Sequence, residues 1–328
     1  MITWGQGFVA DRSPVSRDWS ADGKLMGMDE RVLVTGAAGF IGRAVVAGLR
    51  QRGVPVTAVD REPPDASWDE GVHVVTGDLA DQEVCISAFE TRPTAVVHLA
   101  ALTSVLRSVD APMQTFAQNV TITQVLLELS RGSGVDRFIL ASTNAVVGNV
   151  GTSTITADLP LRPLTPYGAT KAACEMLLSA YSGSYGLATA ALRFTNVYGP
   201  GMSHKDSFVP RMMRAALKDE GVRIYGDGKQ RRDLVYIDDV VAGILLALDK
   251  GYDGRAIIGS GRSVSVLEMV ETVRGVTGRP VPAEHIEAPA GEMPAVVVDI
   301  TNDLGYEPTV SLEDGLARTW QWQYFSAQ

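Results

Sequence analysis

From Arg31 onward, short β-branched apolar runs alternate with longer stretches whose apolar residues recur at helical spacing. Arg31–Thr35, Val56–Val59, His73–Val75, Ala95–His98, Arg137–Leu140 and Ala188–Arg193 predict six strands, most of them running into Gly, Asp, Ser or Asn. Near-continuous apolar character, without in-and-out alternation, belongs to strands covered on both faces. The pattern predicts an α/β fold built on a doubly wound parallel sheet, of Rossmann type, with helices on either side. Gln118–Leu129 is one such helix, with Val120, Thr123 and Leu127 separated from Val125 and Glu128.

After Asn196 the texture changes. Gly199-Pro-Gly201 and Gly226-Asp-Gly228 punctuate the chain, and amphipathic stretches such as Phe208–Leu217 replace the regular alternation. Residues 29–195 are expected to form the first domain. A returning segment of about 232–260, holding a helix at Asp238–Leu248 and a strand at Arg255–Ile258, is expected to rejoin it. Residues 196–231 and 261–328 are left for a smaller C-terminal lobe. Residues 1–28 show no apolar periodicity and no signal-peptide pattern, so they are read as a leader outside the fold, with Met28 an alternative start just ahead of the first strand.

A chain of 328 residues, 45% hydrophobic, has enough apolar surface for a sizeable core. Its net charge of −9 argues against a nucleic-acid binder, which would cluster Lys and Arg. No apolar run approaches the roughly 20 residues of a membrane-spanning helix. Cys85 and Cys174 form no pair or His/Cys cluster with metal-ligand spacing, so no metal is expected and a reducing, cytoplasmic setting is.

Gly36-Ala-Ala-Gly39-Phe-Ile-Gly42 follows the first strand directly and opens an apolar helix. In that context Gly36 suits a tight turn, Gly39 lets backbone approach a pyrophosphate, and Gly42 permits close packing of helix on strand, with the ligand at the helix N-terminus. Asp60 ends the second strand about twenty residues on, where a carboxylate accepts hydrogen bonds from an adenosine ribose, which favours NAD. Arg61 beside it keeps NADP open, and Asp78 is placed to meet the adenine amino group.

Tyr167-Gly-Ala-Thr-Lys171 stands at the start of another predicted helix, and the step of four puts phenol and ammonium one turn apart on one face. A cation about 4 to 6 Å away lowers a tyrosine pKa from its ordinary value near about 10, bringing a phenolate base within reach.

These motifs, with Gly77-Asp-Leu79, His98-Leu-Ala-Ala101, Arg193-Phe-Thr-Asn-Val-Tyr-Gly-Pro200, Arg232-Asp-Leu-Val-Tyr-Ile-Asp-Asp239 and Leu304-Gly-Tyr-Glu-Pro308, make the chain resemble the NAD-dependent epimerase/dehydratase family of extended short-chain dehydrogenase/reductases over roughly Arg31 to Trp322. The resemblance implies Tyr167 as catalytic base, Lys171 holding it and the nicotinamide ribose, and Thr143 bonding the reacting sugar oxygen. It implies NAD contacts from Gly36, Gly39, Phe40, Ile41, Gly42, Asp60, Arg61, Asp78, Leu79, Leu99, Ala100, Ala101, Asn119, Ala141, Ser142 and Val197. Thr143, Asn144, Asn196, Val209, Tyr225 and Arg232 are the implied contacts to a nucleotide-diphosphate sugar. An Arg232–Asp233 surface ion pair is the alternative for Arg232. A homodimer through Thr103–Val125 and Tyr167–Ser182 is implied as well.

Three positions depart from the family pattern. Asn144-Ala145 stand where dehydratases carry Asp-Glu, Val147 replaces the usual Tyr before Gly148, and Ala288-Pro289-Ala290 occupy the place of a second diphosphate arginine, for which Lys205 or Arg262 are substitutes. Without the acid–base pair of Asp-Glu, 4,6-dehydration is disfavoured. The leading expectation is an isomerase: NAD-dependent C4 epimerisation of a sugar nucleotide such as UDP-glucose or UDP-glucuronate. An NAD(P)H-dependent 4-ketoreductase is the alternative, and a non-catalytic NAD-binding sensor a third.

Overall fold

The computed structural model describes residues 30–62, 68, 71–202, 205, 207–287 and 295–326. The leader and the 288–290 segment lie outside them. The chain opens β1 (Val32–Thr35), α1 (Phe40–Gln51), β2 (Val56–Asp60), β3 (Val72–Thr76), α2 (Gln82–Glu90), β4 (Ala95–His98). It continues through α3 (Val105–Asp110), α4 (Pro112–Phe116), a π-helical turn (Ala117–Thr121), α5 (Ile122–Ser133), β5 (Arg137–Thr143), β6 (Thr154–Ile155), α6 (Pro166–Tyr185) and β7 (Ala188–Phe194). Then come β8 (Asn196–Tyr198), α7 (Phe208–Lys218), β9 (Val222–Tyr225), β10 (Arg231–Tyr236), α8 (Ile237–Lys250), β11 (Gly254–Ile258), β12 (Ser263–Ser265), α9 (Val266–Thr277), β13 (Ala283–Ile286), β14 (Val297–Val298) and α10 (Leu312–Ser326).

Seven strands form one sheet in the order β11-β7-β5-β4-β1-β2-β3. Its pairs among β1 to β5 run parallel. This is the expected Rossmann-type sheet; β11 is the strand anticipated at Arg255–Ile258. Strand order reverses between β1 and β4, and the crevice outside the carboxyl ends of such strands is where doubly wound folds bind ligands.

By internal packing the chain divides into two compact units. The first takes residues up to Ala141, Thr170–Ala191 and Leu245–Gly254; the second takes Ser142–Ala169, Leu192–Ile244 and Arg255 onward. The boundaries between the units fall inside β5, α6, β7, α8 and β11. In the first unit Leu33, Val96 and Phe138 from the sheet pack with Leu126 and Leu127 of α5 and Cys174 and Leu178 of α6. In the second unit β10 pairs parallel with β8 and antiparallel with β12, and Tyr198 meets Tyr236 edge-on at 5.6 Å.

One helix departs from expectation. Gln118–Leu129 is not a uniform α-helix, because its start is a π-helical turn, which widens the coil around Asn119. Such turns carry a local cost that a particular side-chain placement offsets. Here that placement is the amide of Asn119, described below.

In the second unit Asp239, buried in the first turn of α8, accepts hydrogen bonds from Thr309 N at 2.8 Å, Thr309 Oγ1 at 2.9 Å and Val310 N at 3.1 Å. The carboxylate thereby ties the segment ahead of α10 to α8. Replacing Asp239 with Ala is expected to cost about 1.5–3 kcal/mol, read as a lower urea midpoint at unchanged slope; a midpoint equal to that of the unaltered protein would deny the tie any weight.

Candidate active site

The glycine turn joins β1 to α1 in the first unit. Gly36 has φ +69°, and a Cβ there would stand 2.7 Å from Ala100 N. At Gly42 a Cβ would stand 2.1 Å from Gly36 O, so α1 packs against the turn with nothing between them. Gly39 caps α1 and brings no side-chain acceptor to the first helical N–H groups. Phe40 and Ile41 follow, half-buried. A turn whose backbone is this bare and opens on a helix N-terminus suits a pyrophosphate.

Asp60 reaches the same turn: its Oδ2 accepts from Ala38 N at 2.9 Å and its Oδ1 from Glu62 N at 3.1 Å. Arg61 lies 3.6 Å from Asp78, both largely exposed, a pairing that contributes little stability but occupies the guanidinium. Leu79 is buried in the core, so its side chain packs against neighbours such as Cys85. Leu99, Ala100 and Ala101 follow β4, half-buried. Asn119 clamps the next residue: its Oδ1 accepts from Leu102 N at 2.8 Å, and its Nδ2 donates to Leu102 O at 3.1 Å and to Thr170 Oγ1 at 3.0 Å.

Helix α6 presents Tyr167 and Lys171 one turn apart, as the spacing predicts. Lys171, 3% exposed, donates from Nζ to Ala141 O at 2.8 Å. Burial lowers its pKa, opposed by Cys174 and Glu175. In the second unit Tyr167 is hydrogen-bonded to Thr143, whose Oγ1 also accepts from Ala145 N at 3.2 Å. The residue is half-buried by area, yet loss of solvent around the phenol dominates and pushes its pKa up to about 12, with the Thr143 bond pulling the other way. Desolvation therefore outweighs the Thr143 bond in the protein as it stands.

Ser142 and Asn144 are buried beside Thr143, and both amide atoms of Asn144 are shielded with no hydrogen-bond partner. Among the other implied substrate contacts, Asn196 is exposed at the start of β8 and donates from Nδ2 to Asp233 O at 2.9 Å. Val197 follows it, half-buried. Arg232 Nη1 donates to Arg231 O at 2.8 Å, while the Asp233 carboxylate is buried and accepts from Thr195 Oγ1 at 2.7 Å and from Ser260 N and Oγ at 2.9 Å. Asp233 is thus engaged by hydroxyl and amide groups. Val209 is buried on α7, and Tyr225 ends β9, partly exposed.

Several positions were not singled out in the sequence. Gly168 is one: a Cβ there would stand 2.6 Å from Ala145 O, so the start of α6 packs directly on the backbone after β5. Thr170 and His98 are others. Their neighbours in the motifs were visible, but their bonding partners lie tens of residues away in the chain.

Fold and site together define a dinucleotide-dependent enzyme of the Rossmann type with a tyrosine–lysine pair. Residues 32–259 match the profile of the NAD dependent epimerase/dehydratase family, and the chain belongs to that family, with NAD as its cofactor. It is 33% identical to a dTDP-glucose 4,6-dehydratase of Actinoplanes sp., over 89% of this chain and 97% of that one. The UDP-glucose 4-epimerase of Thermotoga maritima, solved with UDP-glucose, superposes with TM-score 0.86 at 34% identity, covering 91% of this chain and 100% of the other. The UDP-glucuronic acid 4-epimerase of Bacillus cereus, solved with UDP-glucuronic acid and NAD, gives TM-score 0.81 at 30% identity over 90% and 99%.

With its pKa raised, Tyr167 is a neutral phenol below about pH 12 in the ligand-free protein and ionises only as pH rises through that value. The 295-nm difference between wild type and Tyr167→Phe is expected to show no phenolate up to about pH 10, where a free tyrosine would be half ionised. A phenolate signal already present near neutrality in the apoprotein would show that Lys171 outweighs burial after all.

Proposed function

We propose that this chain inverts C4 of a nucleoside-diphosphate sugar, with UDP-glucose, UDP-glucuronate or a related sugar as substrate. The observation that carries the reading is the Thr143–Tyr167 hydrogen bond with Lys171 one helical turn further along α6. When bound, NAD supplies the positive charge and the hydride acceptor and donor that carry C4 through a ketone and back. Tyr167 takes the C4 hydroxyl proton and later returns it; Thr143 holds the same oxygen; Lys171 keeps a positive charge near the phenol and so favours its ionised form. Arg232 and Asn196 anchor the diphosphate, an arginine fork being matched to phosphate oxygens. Arg262 or Lys205 supplies the second cationic contact.

Relatives of both kinds, dehydratase and epimerase, share about a third of their residues with this chain, so the choice rests on individual side chains. Loss of water across C5 and C6 needs a proton donor and a proton acceptor next to Thr143. Asn144 and Ala145 are neither. A single reduction of a 4-keto sugar would use the same tyrosine as acid but would consume reduced cofactor, whereas epimerisation consumes none.

Incubation with UDP-glucose, UDP-glucuronate or UDP-N-acetylglucosamine and no added cofactor is expected to give the C4 epimer. Net loss of reduced cofactor with a keto sugar, and no epimer, would replace this reading with the reductase. Tyr167→Phe is expected to lower kcat by about 10²- to 10⁴-fold while NAD stays bound, and near-normal turnover would take Tyr167 out of the mechanism.

A homodimer and a cytoplasmic setting complete the proposal. Both cysteines are free and buried, in keeping with a reducing compartment. Among the described residues no helix is long and apolar enough to cross a membrane. Leu106 and Val109 on α3, and Met113 and Phe116 on α4, are spaced i,i+3 within each helix and are exposed, Leu106 at 80% and Met113 at 81%; Met176 on α6 is exposed too. Exposed apolar side chains at this density suit a self-complementary contact. Light scattering should give the mass of two chains, and Met113→Glu with Leu106→Glu should shift it toward one; a wild-type monomer at working concentration would end the dimer proposal.

A further inference from the structure

His98, at the end of β4, is 1% exposed and has no role in the chemistry above. Its Nδ1 lies 2.7 Å from Thr35 Oγ1 and its Nε2 lies 3.1 Å from Thr123 Oγ1. The partners decide which nitrogen carries the hydrogen. Thr123 Oγ1 is 2.6 Å from Asn119 O, and a carbonyl only accepts, so the Thr123 hydroxyl hydrogen is committed there. Thr123 Oγ1 is left to accept from His98, which places the hydrogen on Nε2. Nδ1 then accepts from the Thr35 hydroxyl, whose oxygen in turn accepts Ala100 N–H at 3.3 Å. A second ring proton on Nδ1 would face that hydroxyl and leave its hydrogen without this acceptor. Burial, and then the Lys171 ammonium, push the His98 pKa down to about 3, in agreement with the bonding directions.

The chain of bonds closes on one loop. Ala100 is held through Thr35, and Leu102 is held through the Asn119 amide, with His98 and Thr123 joining the two sides. The same amide reaches Thr170, the residue before Lys171, and Cys174 Sγ lies 3.4 Å from both Asn119 O and Thr123 Oγ1. The π-helical turn sits in the middle of this circuit and carries Asn119 to it.

We infer that His98 is a positioning residue, a neutral strut that sets residues 99–102 and the Thr170–Lys171 turn of α6 for hydride and proton transfer without touching substrate or cofactor. Neutrality is part of the role, since a cationic ring beside Lys171 would favour loss of the lysine proton. The inference rests on the proposed function above, in which Leu99, Ala100 and Ala101 are among the expected NAD contacts and Lys171 supports Tyr167.

Long-range proton–nitrogen NMR on the NAD-loaded wild-type protein tests the strut without reference to turnover. His98, assigned by loss of its signals in His98→Gln, is expected to show the neutral Nε2–H pattern unchanged from about pH 5 to about pH 9, across the range where an ordinary histidine titrates. An Nδ1–H pattern, or titration in that range, overturns the inference. Kinetics then separates positioning from simple core packing. His98→Gln keeps a donor toward Thr123 and His98→Asn an acceptor toward Thr35, and each is expected to lower kcat roughly tenfold with KM for the nucleotide sugar held within about twofold. His98→Leu, which keeps neither, should lose more than either. A folded His98→Leu at wild-type kcat, or a loss confined to KM, also overturns it. Should no nucleotide sugar turn over at all, the proposed function fails, while the NMR result still decides His98.

Discussion

The close approach of the first turns of α6 to the end of β5 is the constraint on which the candidate site depends. Two strand residues advance about 6.6 Å and four helical residues about 6 Å, so positions 141 and 143 on β5 match positions 171 and 167 on α6. Lys171 Nζ meets Ala141 O, and the Tyr167 phenol meets Thr143. The helix reaches this distance because residue 168 has no Cβ to collide with Ala145 O. A bulkier residue there would move the phenol and its hydroxyl partner apart before any chemistry was considered.

Desolvation acts on both groups of the pair in the direction of neutrality. It raises Tyr167 and lowers Lys171, so burial favours the uncharged form of each. Acceptors built into the fold hold the lysine in place, with Ala141 O on its ammonium and Glu175 nearby in favour of its charge.

The strands were legible because they are buried on both faces, and burial of that kind leaves a continuous apolar run. The glycine turn, Asp60 and the Tyr167–Lys171 step were legible for a related reason, since each is a local arrangement with its partners a few residues apart or at a strand end. The relation of Asn119 to Leu102 and Thr170 was hidden, as were the anchoring of Asp233 by Thr195 and Ser260 and the bond from Thr35 to His98. Their partners are separated by 17 to 63 residues, and no periodicity reports such a pairing. The π-helical turn was hidden too, because its apolar spacing over five residues differs little from that of an α-helix.

By itself the sequence determined the class of sheet, the dinucleotide turn at its first crossing, the tyrosine and lysine on one helical face, and the missing acid–base pair after Thr143. All of these follow from short-range spacing and residue chemistry. Only the tertiary structure decided that the phenol is held protonated, that the compact units divide within strands and helices, and that a buried histidine is locked in one tautomer. These depend on solvent exclusion and on hydrogen-bond partners brought together from distant parts of the chain, quantities that exist only after the chain has folded.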